Sequence, residues 1–142
     1  MNNNAIRHGF ILISLASIFG LFIPSMEVPR LGVSAHTIGL LSGVLLIALG
    51  AVWQRFSLSA RQLLVLYWAW LHAGYINWLA VLIGAIFGAG NMTPVASGGY
   101  TGTPAIEMVV TGLLMSVAIS TLLAVSVSIW GLRATDKSSS TT

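Results

Sequence analysis

The polar side chains that could do chemistry in this chain are few, and each lies in or beside a long apolar stretch. They are two histidines, a serine, a tyrosine, an asparagine and a glutamate: His36, His72, Ser42, Tyr75, Asn77 and Glu107. Strongly polar groups inside apolar segments cost free energy unless they are paired, so they are functional candidates by default.

The residue types exclude several kinds of site. The chain has no cysteine, which excludes disulfides, thiolate catalysis and iron–sulfur ligation. Its few acidic residues offer the histidines no evident triad partner, and zinc needs a richer ligand cluster. A lone imidazole beside glycines instead suits haem, which needs one axial ligand and close backbone approach. His36 shares a helical face with Gly39, Gly43 and Gly50.

Each candidate also has a purely structural explanation. His36 could form a hydrogen bond near the membrane interface, and His72 could pack with its aromatic neighbours. Asn77 could join two helices through its amide. Glu107 is better explained as a helix-start residue that complements the helix dipole, and Ser42 as a small packing residue.

The composition of the chain indicates the environment that surrounds these side chains. The chain has 142 residues, of which 6% are charged and 56% are hydrophobic, and its mean hydropathy is +0.92. Soluble domains carry about 25% charged residues, so an ordinary soluble fold is excluded, and so is disorder. The six basic residues form no run that could follow a nucleic-acid backbone.

The spacing of the charges predicts an all-α membrane protein, a bundle of four transmembrane helices. We expect helices near 8–25, 35–54, 62–88 and 105–131, because about 20 apolar residues cross a bilayer. The segment from Asn91 to Pro104 is rich in Gly, Pro and Thr and is predicted to be a loop. Residues 1–134 would form a single domain, and residues 135–142 a disordered cytoplasmic tail.

The basic residues predict the orientation of the bundle. Four spans put both termini on one side, and that side collects five basic residues: Arg7, Arg55, Arg61, Arg133 and Lys137. Only Arg30 lies on the other side, so both termini should face the cytoplasm from a bacterial inner membrane. No small-x-small cleavage site follows the first apolar run, so we expect that run to be retained as a helix.

The third predicted helix has two faces suited to contact. Small residues with one asparagine form the first face: Ala69, Ala73, Asn77, Ala80, Gly84 and Gly88. Trp68, His72 and Tyr75 form the second. Two faces predict contact within the bundle and with another copy of the chain. Counting 1.5 Å per residue places four candidates in one layer of the outer membrane half: His36, Ser42, Tyr75 and Asn77.

Three segments resemble the hydroxylaminobenzene mutase family, small four-helix membrane proteins. They are VPRLGVSAHTIGLLSG (28–43), GYINWLAVLIGAIFGAG (74–90) and MTPVASGG (92–99). The SAH-x-x-G-x-x-x-G pattern is also distantly similar to styrene oxide isomerase. The resemblance implies an isomerase that moves the hydroxyl of an arylhydroxylamine from nitrogen to the ring, giving an aminophenol.

The resemblance to styrene oxide isomerase also implies a homotrimer with haem b between protomers. The axial histidine would be His36, and one substrate-positioning asparagine would be Asn77. Two positions depart from that pattern, since Ser42 and Val81 stand where the epoxide isomerase has its second active-site Asn and its Tyr. Opening an epoxide with that full site is therefore not expected here.

The expected mechanism places an uncharged aromatic substrate, taken up from the lipid bilayer, in a pocket between helices. Haem iron on His36 would act as a Lewis acid, with Gly39 and Gly43 allowing the ring to approach. Asn77 would orient the substrate, and Tyr75 or Ser42 would hold the departing oxygen. The alternatives are an epoxide isomerase, a haem-binding anchor or electron-transfer subunit, and a small transporter.

Overall fold

The computed structural model describes residues 1–133, and its regular structure there is entirely helical. Five α-helices follow one another: α1 (Asn3–Gly20), α2 (Pro29–Val52), α3 (Ala60–Phe87), the short α4 (Pro94–Ser97) and α5 (Pro104–Gly131). Single 3-10 turns at Ile23–Ser25 and Trp53–Arg55 lie in the first two connections. Three helices are long and apolar enough to cross a membrane, namely α2 with its following turn, α3 and α5.

Local sequence explains where the helices begin and end. The side chain of Asn2 caps α1 by accepting from the backbone N–H of Ala5. Ser59 and Gln62 form a reciprocal capping box at the start of α3. Proline occupies the first position of α2 and of α5, where its missing N–H costs nothing. Gly88 ends α3 with φ of 73°, a left-handed conformation that favours glycine.

The predicted boundaries were wrong for α1 and α2, and α4 was not predicted. α1 begins at Asn3 and ends at Gly20 rather than spanning 8–25, because the capping side chain of Asn2 starts the helix ahead of Arg7. α2 begins at Pro29 rather than near 35 because a proline can open a helix. The loop predicted from Asn91 to Pro104 contains α4. The predicted tail, 135–142, lies outside the described residues.

The long helices pack in the order α1, α2, α3, α5. Glycines bring α1 and α2 together, since a Cβ on Gly9 would lie 2.5 Å from the carbonyl oxygen of Gly43. Between α2 and α3, the indole of Trp78 lies against Gly39. α5 packs on α3 at the end of the row. Most of its apolar surface stays exposed to the surroundings, as lipid contact requires.

Two backbone hydrogen bonds place the N-terminus and the end of α5 at the same end of the bundle. The N–H of Asn2 donates to the carbonyl of Gly50 at 2.8 Å, and the N–H of Ser57 donates to that of Gly131 at 2.8 Å. Four of the basic residues therefore lie towards this end, whereas Arg30 lies at the other, beside Gly98. Lys137 lies beyond the described residues.

Candidate functional site

His36 is fixed in one orientation by α1. Its Nδ1 lies 2.9 Å from the carbonyl oxygen of Ala16. A carbonyl oxygen can only accept, so Nδ1 carries the proton and Nε2 keeps a free lone pair. Gly20 makes room for the ring, because a Cβ there would lie 2.6 Å from Nδ1. The result is a half-buried imidazole that α1 holds in one orientation.

Gly39 and Gly43 face other helices. A Cβ on Gly39 would overlap the Cβ of Ala16 and lie 2.8 Å from the indole of Trp78, and one on Gly43 would lie 2.5 Å from Ile13. Both glycines are buried. Their missing side chains therefore serve helix packing, and their contact with a porphyrin stays a prediction.

Asn77 and Ser42 lie near the α2–α3 contact. The neighbour of Asn77, Trp78, touches Gly39, which is three residues from His36. Asn77 is half-buried. Ser42 faces the backbone of α3 at Gly74, 3.4 Å from where a Cβ would stand. Ser42 therefore lies at the α2–α3 contact, and Asn77 lies beside Trp78 on α3.

Tyr75 is bonded to α1, and its predicted role in holding the departing oxygen stays a prediction. Its hydroxyl donates to the backbone carbonyl of His8 at 3.1 Å, and Nδ1 of the same histidine lies 3.2 Å from the hydroxyl oxygen. His8 and Ala16 are eight residues apart on α1, about 12 Å at 1.5 Å per residue. Counting heights along α3 alone did not predict this long-range pair.

His72 belongs to a third environment. Its Nε2 lies 3.0 Å from the hydroxyl of Ser116 on α5, and that hydroxyl donates to the carbonyl of Leu113 at 2.7 Å. The imidazole therefore donates through Nε2. Since His36 bonds to α1 and His72 to α5, the two histidines do not form an axial pair for one haem.

Glu107 anchors the connection between α3 and α5. The prediction was only that it complements the dipole at the start of a helix. It lies in the first turn of α5, as expected, and is only 7% exposed. Its carboxylate accepts backbone N–H bonds from Gly90, Asn91 and Gly102 at 2.9, 3.2 and 2.8 Å. A carboxylate engaged by three donors is a structural anchor for the α3–α5 connection.

The orientation of His36 suits a haem that is held by a single axial histidine. An imidazole whose Nδ1–H is bonded to a backbone carbonyl is held with Nε2 directed away from that bond, as metal-binding histidines require. Within residues 1–133 there is no cluster of three or more His, Asp or Glu that could hold a bare metal ion. His36 is thus the residue best placed to hold an iron porphyrin.

Several contributors to these environments were missed from sequence. The contact between His8 and Tyr75 was not predicted. Gly20 and Ser116 had no assigned role. The sequence features that mark these positions are local ones. They are a glycine near the end of the first apolar run and serines spaced along the last apolar run. Pairing across helices needs the register, which no local pattern contains.

Comparison with known proteins identifies the family. A family model described as styrene oxide isomerase matches residues 1–133. The hydroxylaminobenzene mutase HabB of Ectopseudomonas oleovorans is 38% identical over 126 residues, covering 88% of this chain and 77% of the relative. HabA of the same organism is 38% identical over 109 residues, covering 76% and 81%. No solved structure matches. The chain belongs to the styrene oxide isomerase family and is an isomerase.

Proposed function

We propose that this isomerase is a mutase that converts an arylhydroxylamine, such as hydroxylaminobenzene, to an aminophenol. The reaction moves a hydroxyl group from nitrogen to the aromatic ring of the same molecule. Two relatives named for this substrate support the proposal, since both are 38% identical over most of the chain. An uncharged aromatic substrate also partitions into a bilayer, where a protein of this composition resides.

We propose that His36 holds haem b through Nε2. The observation that carries this is the bond from Nδ1 to the carbonyl of Ala16, which fixes the tautomer and leaves Nε2 unprotonated. Haem iron, when bound, supplies a Lewis acid for the substrate oxygen. The chain itself supplies the orientation of the imidazole, through Ala16 and the space at Gly20.

Asn77 and Ser42 are the residues proposed to position the substrate. The amide of Asn77 carries both a donor and an acceptor on a half-buried side chain. Ser42 adds a hydroxyl beside Gly74. Apolar surroundings strengthen each such bond. Tyr75 is not included, since its hydroxyl is engaged by His8.

We propose that α1 is a fourth span and that the shared end of the bundle faces the cytoplasm of a bacterium. α1 follows α2 along its length, so the two would cross the bilayer together. Arg7, Arg55, Arg61 and Arg133 lie towards that end, and basic residues mark cytoplasmic loops.

The proposed active form is an oligomer, a trimer by resemblance. The exposed face of α2 carries Val33, Leu41 and Val44, and it flanks His36 at Thr37. A second copy against this face would wall the space beyond Nε2 and exclude lipid from it. This would supply the pocket wall that a four-helix row does not itself provide.

Four variants test the function together in purified protein. The wild type should show a haem Soret band and convert hydroxylaminobenzene to aminophenol, measured by chromatography. His36→Ala should lose both, whereas His72→Leu should keep the band. Asn77→Ala should keep the band and turn over about tenfold slower, the loss of about 1.4 kcal/mol of orientation. Imidazole added to His36→Gly should restore the band.

Two outcomes would overturn parts of this proposal. A colourless wild type with full mutase activity removes haem from the mechanism. Full haem and full turnover in His36→Ala would refute the axial role. The family match also favours a second candidate, epoxide isomerisation. Conversion of styrene oxide to its aldehyde at a higher kcat/KM than hydroxylaminobenzene would select that candidate.

A further inference from the structure

An open groove lies between α1 and α3. It measures about 480 Å³ and has seven lining residues, here called the His72 groove: His8, Ile11, Trp68, Leu71, His72, Tyr75 and Ile76. A second groove of about 550 Å³ between α3 and α5 shares Trp68 and His72 with it. A dry cavity of about 150 Å³ already accepts benzene. The His72 groove is therefore large enough for a substituted aromatic ring.

The hydrogen bonds around the groove leave acceptors without donors. Tyr75 gives its only proton to the carbonyl of His8, so the contact between the His8 ring and the phenol oxygen needs a proton on Nδ1. Nε2 of His8 is then a bare acceptor. His72 donates through Nε2 to Ser116, which leaves its Nδ1 bare as well. In the part of the chain that the structure describes, Nε2 of His8 and Nδ1 of His72 are therefore acceptors without a donor.

The remaining lining favours an uncharged aromatic ligand. Within the described part of the chain, none of the seven residues that line the groove is Asp, Glu, Lys or Arg. Trp68 is 61% exposed and offers an aromatic face, and Leu71 and Ile76 give apolar walls. Lipid tails fill such a space but cannot donate to the imidazoles, and an unpaired polar group in hydrocarbon is costly.

We propose that the His72 groove is a second binding site, for uncharged aromatic molecules that carry an N–H or O–H donor. Arylamines and arylhydroxylamines are this class. The site is separate from His36, because His8 and Ala16, which mark the two environments on α1, are about 12 Å apart along the helix. The ligand would reach it from the bilayer, with its ring against Trp68 and its donor towards Nδ1 of His72.

The test compares two probes of matched shape in lipid nanodiscs. ¹⁹F NMR titration follows 4-fluoroaniline, which has N–H donors, and 4-fluorotoluene, which has none, with empty nanodiscs subtracted. The aniline should bind about fivefold tighter, the ratio that one ordinary hydrogen bond supplies. This assay requires no turnover, so its result is independent of the proposed reaction.

Three variants locate the bound probe. His72→Leu should abolish the preference for the aniline, and Trp68→Ala should weaken both probes about fivefold. Trp130→Ala is the matched control, since Trp130 is a similarly exposed tryptophan at 49% but lies on α5 beside Arg133. It should bind both probes as the wild type does.

Equal affinity of the two probes for the wild type would overturn the proposal. So would binding by His72→Leu and Trp68→Ala that matches Trp130→Ala. A third result would assign the groove to a second copy of the chain instead. The chain has no cysteine, so Trp68→Cys is a single-cysteine protein, and a disulfide-linked dimer formed in membranes would show that the groove is covered.

Discussion

The α1–α2 and α3–α5 interfaces lie at opposite ends of the helix row and are built differently. At α1–α2, glycines on both helices let the backbones touch, and a Cβ on Gly9 would lie 2.5 Å from the carbonyl oxygen of Gly43. Gly50 is equally tight, 2.6 Å from Ile6. Helices packed at this distance leave no space for a ligand and have little freedom to shift.

The α3–α5 interface is joined by side chains that reach across. Trp70 donates to Ser128 at 3.1 Å, and His72 bonds to Ser116. Gly112, an exposed glycine of α5, has nothing within 4 Å of its Cβ position. A groove of about 550 Å³ stays open between α3 and α5. The comparison teaches that the tight α1–α2 interface fixes the His36 imidazole, while the loose α3–α5 interface leaves an open groove between its helices.

The same substitution should have very different consequences at a glycine inside the tight interface and at the exposed Gly112 of α5. Gly9→Val forces α1 away from α2 and should lower the free energy of unfolding by about 3 kcal/mol. Gly112→Val meets open space and should change it by less than about 0.5 kcal/mol. Unfolding in mixed micelles, followed by circular dichroism, measures both. Equal losses in the two variants would show that close packing at Gly9 does not hold α1 against α2.

Removal of the loop anchor should have the next largest effect. Glu107→Ala leaves three backbone N–H groups without their carboxylate and should raise hydrogen exchange at Gly90 and Gly102 about 30-fold. That corresponds to about 2 kcal/mol of local opening. Glu27→Ala is the control, because Glu27 is an exposed carboxylate at the same end of the bundle. Unchanged exchange in Glu107→Ala would remove its anchoring role.

Much of the fold could be predicted because a helix that crosses a membrane must be long, apolar and nearly free of charges. Charge spacing located α3 and α5 to within two residues at each end. It failed at α2, where Arg30 was taken as a boundary although Pro29 opens the helix. It also failed at α4, whose four residues are too few for an apolar period to show.

The site could be predicted only in its residue types. His36 was selected for its glycine face, yet those glycines contact α1 and Trp78. Tyr75 was grouped with His36 because heights were counted along one helix, whereas its partner His8 lies on another. Periodicity gives the face and depth of a residue, but the partner depends on how neighbouring helices are placed.

The bond that joins α1 to α3 is tested by a double-mutant cycle. Tyr75→Phe should lower the free energy of unfolding by about 1 kcal/mol, since it loses the hydroxyl that contacts both the ring and the carbonyl of His8. His8→Ala removes the ring contact alone. The two changes should be non-additive by about 0.5 kcal/mol. Strict additivity would mean that ring and phenol do not interact.

The smallest expected effect concerns the loose interface itself. Ser128→Ala leaves the indole N–H of Trp70 without its acceptor on α5. Bonds between helices in a membrane contribute about 0.6 kcal/mol on average, because the unfolded helices also find partners. Ser126→Ala is the matched control on the same helix, where the serine is exposed. A loss above about 2 kcal/mol in Ser128→Ala alone would show that α5 depends on this one bond, and the interface would then be less tolerant than its open packing implies.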